Sequence, residues 1–164
     1  MRLSLSPTLL LLHWLIGWTL LGLPPAFWPE LTGYWLLAGA LLFASAARDA
    51  FHLHLRPAPL VKRFMPPALP LGAWQPIRLR FDNPANQTLH LTVFDHYPTA
   101  AAECADLPQQ ITVDAHGWAE LTYRLRPVVR GEWTFAPVQI GLASPQGLWQ
   151  RDDRLGEPAT VRVY

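Results

Sequence analysis

Two runs near the amino terminus constrain this chain more than anything that follows them. Leu5 to Leu23 is apolar except for Ser6, Thr8, His13 and Thr19, Leu31 to Ala47 carries no charge, and Glu30 is the single charged residue between them. Nineteen helical residues extend about 28 Å, roughly one hydrocarbon core, and seventeen come close to it. The 51% hydrophobic content and a mean hydropathy of +0.12 say the same of the whole: part of this chain is not in water. The expectation is a transmembrane helical hairpin over residues 1–47, with spans at about 5–23 and 31–47. Pro24-Pro25 should stop the first helix, and Phe27, Trp28 and Pro29 should lie at headgroup level. Gly33, Gly39, Ala40, Ala44 and Ala47 are small enough to let a neighbouring helix approach. The competing reading, a cleaved signal peptide, lacks a small-x-small site before residue 24 and leaves the second run unexplained.

Charge around the spans sets an orientation. Arg2 precedes the first, Arg48, Arg56, Lys62 and Arg63 follow the second, and the loop holds only Glu30, so both ends are expected on the cytoplasmic side of the membrane. His13 is the one ionisable side chain inside a span, and the expectation is a neutral ring bonded to the second helix. Residues 48–59 read as a juxtamembrane linker, with Phe51, Leu53 and Leu55 dipping toward the headgroups and Pro57 and Pro59 ending it. His52 and His54 share a face only in an extended segment, and two imidazoles without further ligands make a poor metal site.

Residues 60–164 form the second expected domain. Of 13 Lys or Arg and 12 Asp or Glu in the chain, Arg2, Arg48, Arg56, Glu30 and Asp49 fall before residue 57, which leaves ten of each sign beyond it. That balance argues against nucleic acid as a partner. Strands are expected at Leu60 to Phe64, Pro76 to Phe81, Leu89 to Phe94, Gln110 to Val113, Ala119 to Leu125, Thr134 to Leu142 and Thr160 to Tyr164. Turns are expected at Asn83-Pro84, Asp114 to Gly117 and Ser144 to Gly147. Seven short strands in about a hundred residues is the rhythm of an all-β immunoglobulin-like sandwich, here without its cysteine pair. Ile77, Leu79, Phe81, Leu89, Leu91 and Val93 should face inward.

The best-patterned stretch is Tyr123 to Trp149. Leu121, Tyr123 and Leu125 alternate with polar residues, Trp133 and Phe135 resume the alternation, and Val138, Ile140 and Leu142 follow out of phase. The phase shift predicts a bulge at Ala136-Pro137. Ser144-Pro145-Gln146-Gly147 has the composition of a type I turn returning Leu148 and Trp149 to the core, and both Trp133 and Trp149 are expected to be buried.

Nothing here assembles chemistry. Asp95 and His96 are neighbours on a strand end and point to opposite faces. Cys104 is a lone cysteine in an Ala-rich stretch, and pairing it with His96 or His116 as nucleophile and base has no supporting context. Carboxylates are scattered over turns, with Asp152-Asp153 the one adjacent pair, between Arg151 and Arg154. The expectation is no catalytic residue, no metal and no cofactor. Arg78, Arg80, Arg124 and Arg126 fall on outward positions and form a candidate contact for lipid headgroups or an acidic partner.

The succession Arg126-Pro127, Arg130-Gly131, Pro137-Val138, Ser144-Pro145, Gly147-Leu148-Trp149 and Val161 to Tyr164, preceded by Val61-Lys62-Arg63, Asp82-Asn83 and Val93-Phe94-Asp95, resembles the bacterial domain of unknown function 58 family. Gln146 departs from that pattern, where a large apolar residue is usual. Members continue into a von Willebrand factor A-like domain with a metal-site motif, which this sequence lacks. The resemblance implies a membrane protein working beside a MoxR-type AAA ATPase in cell-envelope or complex maturation, here as an N-terminal portion. The alternative from a different class is an exported, periplasmic adhesion or ligand-binding module.

Overall fold

The computed structural model describes residues 4–164. Contacts divide these into two units: residues 4–56 with Ala143–Arg151, and Pro57–Leu142 with Asp152–Tyr164.

The first unit is helical. A short strand β1 (Ser4–Pro7) leads to α1 (Leu9–Leu20), α2 (Leu23–Phe27), a 3-10 turn (Pro29–Leu31) and α3 (Thr32–Leu55). Leu9–Phe27 and Pro29–Leu55 are each long and apolar enough to cross a membrane. Three details differ from expectation. The first helix begins at Leu9, where Thr8 caps it with Oγ1 accepting from the Leu11 amide at 3.5 Å. Pro24 and Pro25 do not stop the helical path but open α2 in its first turn, where a missing N–H costs nothing. Residues 48–55, read as linker, are the last two turns of α3; the helix ends at Arg56, which is extended because Pro57 follows. At 24 residues α3 is about 36 Å long and exceeds a hydrocarbon core of about 30 Å.

α1 and α3 run antiparallel: Leu11 packs with Ala46, while Trp18 stacks on Trp35 with ring centres 4.7 Å apart and planes within 3°. Each indole N–H donates to the other residue's carbonyl, Trp18 Nε1 to Trp35 O at 3.1 Å and Trp35 Nε1 to Trp18 O at 2.9 Å. The Trp18 carbonyl lies in the last turn of α1, where no helical amide reaches it, so the partner indole satisfies it instead. Gly39 makes the stack possible, since a Cβ there would sit 2.5 Å from the Trp18 ring.

The second unit is an all-β sandwich, antiparallel apart from one short pair. One sheet has the order β2 (Leu60–Phe64), β4 (Gln75–Asp82), β8 (Trp118–Pro127), β6 (Ala102–Ala105). A second, of five strands, has the order β1, β11 (Trp149–Leu155), β10 (Val138–Ala143), β5 (Leu89–Phe94), β7 (Gln109–Val113), and a third joins β3 (Ala68–Leu69), β12 (Ala159–Val163) and β9 (Gly131–Phe135), β3 lying parallel to β12. The expected inward residues are buried: Ile77, Leu79 and Phe81 pair in register with Tyr123, Leu121 and Ala119, while Leu89, Leu91 and Val93 face the core from β5. Burying this apolar surface, at about 25 cal/mol per Å², is the main force holding the unit together.

The bulge expected at Ala136-Pro137 is instead a change of sheet. β9 pairs with β12, β10 pairs with β5, and Phe135 and Val138 are both buried across the break. A strand that crosses between sheets must rotate its inward face, which is why the apolar phase slips by one.

Candidate functional site

Ala143–Arg151, the connection from β10 into β11, folds with the helices as a clip over the end of the hairpin. Its turn closes as the sequence indicates, with the Gly147 amide donating to Ser144 O at 3.0 Å and Gly147 at φ +72°, a conformation that favours glycine. The centre of the clip is Asp49, one per cent exposed. Its carboxylate accepts from Ser144 Oγ at 2.5 Å, the Gln146 amide at 2.9 Å and the Leu148 amide at 3.2 Å. Three donors convert a buried charge from a liability into a fastener, because an ionised acceptor makes stronger bonds than a neutral one.

The rest of the clip binds on either side. Trp149 donates its indole N–H to Ala46 O at 2.9 Å, Thr8 Oγ1 donates to Gly147 O at 2.6 Å, and Leu148 packs with Leu11 and Ala46. Arg151, four per cent exposed, sends Nη1 to Leu53 O at 2.8 Å and Arg56 O at 3.0 Å. A guanidinium on carbonyls at the end of α3 answers the negative end of the helix dipole, and at Leu53 O it adds to the Arg56 amide, which donates there at 3.3 Å. Leu148 and Trp149 therefore return to a helical cluster and not to a sandwich core; Trp149 is half-buried, whereas Trp133 is buried in β9 as expected.

The remaining residues of the family-like pattern are spread over the sandwich. Arg126 donates through Nε to Gly72 O at 3.1 Å, and Pro127 ends β8 with its carbonyl accepting from the Gly72 amide at 2.8 Å. Arg130 is exposed in the short loop before β9, Gly131 opens β9 opposite Val163, and Pro137 sits at the sheet change. Asn83 ties three carbonyls together, its Nδ2 reaching Gln87 O at 2.8 Å and Asp114 O at 2.9 Å as well as Val113 O.

Sequence reading missed a buried polar junction in the sandwich. Arg63 of β2 makes a two-pronged bond to Asp95, whose side chain is fully buried, and donates to Ala136 O at 2.7 Å. Tyr123 of β8 donates its hydroxyl to the same carboxylate at 2.5 Å. The junction links the sheet of β2 and β8 to the loop after β5 and to the β9–β10 crossing. Burial, with the nearby Asp95 charge, pushes the Tyr123 phenol well above its ordinary value. Val61-Lys62-Arg63 and Val93-Phe94-Asp95 each hold half of this pair, and nothing in the spacing of residues 63 and 95 shows that they meet.

The four outward arginines share the outer face of β4 and β8. Acids neutralise three of them: Arg80 with Asp82 at 3.0 Å, Arg124 with Asp106 at 3.2 Å and Arg126 with Glu103 at 3.4 Å. Arg80 also lies over Trp118 at 4.7 Å and Arg124 over Trp74 at 5.9 Å, so the face is one of arginine and aromatic side chains, not a bare positive stripe. Cys104 Sγ donates to Ala105 O at 3.3 Å, while His96 is held by Gln139 at 2.8 Å. Burial pushes the Cys104 thiol up to about 11, so it is protonated at neutral pH. His13 bonds backwards to Leu9 O of its own helix at 2.6 Å instead of across to α3. Among the described residues, no three His, Cys, Asp or Glu side chains converge as metal ligands would.

No family model matches the sequence, and no curated protein matches it either. Among solved structures, a Salmonella alpha-2-macroglobulin (mutant Y1175G) is similar at 16% identity over 65% of this chain, with a TM-score of 0.47. Escherichia coli alpha-2-macroglobulin activated by porcine elastase is similar at 14% identity over 64%, TM-score 0.47, and the chain spans only 7% and 9% of these two proteins. The ASH/PapD-like domain 7 of human CEP192 is 12% identical over 63% of this chain and 84% of that one, TM-score 0.42.

Proposed function

We propose that this chain is a membrane-anchored, non-catalytic β-sandwich module whose spans lie in a bacterial inner membrane and whose sandwich faces the cytoplasm. The observation that carries the reading is the use made of buried polar groups: Asp49 and Arg151 close the end of a helical hairpin, and Arg63, Asp95 and Tyr123 hold sheets together. Each is committed to an internal partner, as in a scaffold. Arg2 before the first span, and Arg48, Arg56, Lys62 and Arg63 at and beyond the end of the second, support cytoplasmic ends. The outer arginine–aromatic face of β4 and β8 is the docking surface in this reading, since Arg and Trp dominate binding energy where proteins meet. Its partner, on the resemblance to the domain of unknown function 58 family, is a MoxR-type AAA ATPase.

Reporter fusions after Tyr164 test the topology: green fluorescent protein should fluoresce and alkaline phosphatase should be inactive. Active phosphatase would overturn the cytoplasmic placement in favour of the exported ligand-binding module. Replacing Arg80, Arg124 and Trp118 with Ala should reduce co-purification of the ATPase, and an undiminished yield would remove that face as the docking surface.

A further inference from the structure

The outer face of the sheet β2–β4–β8–β6 divides by charge. On β8 and β6, Glu120 and Glu103, with Asp106 just past β6, stand against Arg124 and Arg126, three acids to two cations. On β2 and β4, Lys62, Arg78 and Arg80 stand against Asp82 alone, and Asp82 is already paired with Arg80. Lys62 and Arg78 are both exposed, and among the described residues neither has an ion-pair partner. In the register of the two strands Lys62 lies opposite Arg80, and Phe64 opposite Arg78.

The outward neighbours of Lys62 along β2 are apolar: Leu60 is 63% exposed and Phe64 45%. β2 is an edge strand, where an outward lysine guards against pairing with another chain. Leu60 and Phe64 beside it do the reverse, presenting apolar surface to water, and such a patch marks a site of contact. Two unneutralised cations set among exposed apolar side chains match an anionic bilayer surface, which offers phosphates to the cations and the acyl boundary to Leu60 and Phe64. The chain keeps that surface within reach. Arg56 to Pro59 alone separate the end of α3 from Leu60, so β2 starts no more than about 18 Å of extended chain from a helix read as spanning the membrane.

We propose that the β2–β4 half of this face rests on anionic phospholipid headgroups through Leu60, Lys62, Phe64 and Arg78, leaving the β8 half to a protein partner. This rests on the membrane-anchored reading above, and the test separates the two. Lys62 is the one lysine in the sequence, so acetylation read by mass on its peptide reports on this face directly. The full chain is placed in nanodiscs of phosphatidylcholine, or of phosphatidylcholine with phosphatidylglycerol, and pulsed with uncharged N-hydroxysuccinimidyl acetate. Phosphatidylglycerol should slow acetylation of Lys62 at least about fivefold, the factor expected for one cation held at an anionic surface. Arg78→Gln and Phe64→Ser, both outward changes, should each return it toward the phosphatidylcholine rate. Equal rates in the two nanodiscs overturn the proposal. Slowing that both variants leave intact also overturns it, because nearness to an anionic surface would slow the amine without docking. Protection in native membranes that is absent from phosphatidylglycerol nanodiscs overturns it in favour of an acidic protein on this face. Failure of the membrane reading shows independently, as release of the chain from membranes by alkaline carbonate.

Discussion

At the level of single residues, the polar groups that matter are buried ones. Asp49→Ala would leave the Ser144 hydroxyl and the Gln146 and Leu148 amides without their acceptor, and should lower stability by about 3 kcal/mol or more. Chemical denaturation in detergent measures it; a change within about 0.5 kcal/mol would mean that the clip is not held by this carboxylate. Trp133→Ala should cost about 3–5 kcal/mol, because Trp133 is 6% exposed and truncation leaves a cavity. Cys104 yields a pH prediction. Its thiol titrates near 11 when folded against 9.0 unfolded, so it stays protonated across that window. The raised value contributes stability that is present below pH 9.0 and lost as pH rises through about 11. Alkylation by iodoacetamide should accelerate with a midpoint near 11, and a midpoint near 9 would show that burial does not control the thiol.

At the level of elements, the hairpin depends on one close approach. Gly39→Val would drive a branched side chain into the Trp18 ring, separate the two indoles and leave the Trp18 carbonyl without a donor. Loss of the near-ultraviolet signal of the stacked indoles, with helix content retained, is the expected outcome; an unchanged spectrum would show that the helices do not cross there. Element boundaries also mark the reach of sequence reasoning. Residues 60–64 and 89–94 are strands with the expected ends because apolar alternation reports a half-buried sheet directly. β11 escaped because its inward residues are Arg151 and Asp153, so its buried face looks polar. β6, absent from the expected strands, is an Ala-rich edge strand whose pairing with the end of β8 supplies what its composition does not.

At the level of the whole molecule, the helical unit is incomplete without a segment about a hundred residues further on. Removing residues 1–56 deprives Arg151 of the α3 carbonyls it caps. Trypsin should then cut after Arg151 at least about tenfold faster than in the full chain, where that side chain is four per cent exposed. Equal rates would show that the clip holds its shape alone. The sequence by itself determined the two apolar helices, the inward residues of β4, β5 and β8, and the turn at Ser144 to Gly147, because each rests on a local period or a local backbone preference. Only the tertiary structure decided that this turn seats on Asp49, that Arg63 meets Asp95, and that Ala136-Pro137 changes sheets. These are pairings between residues far apart in the chain, and a buried charge carries no mark in the sequence of which distant partner will neutralise it.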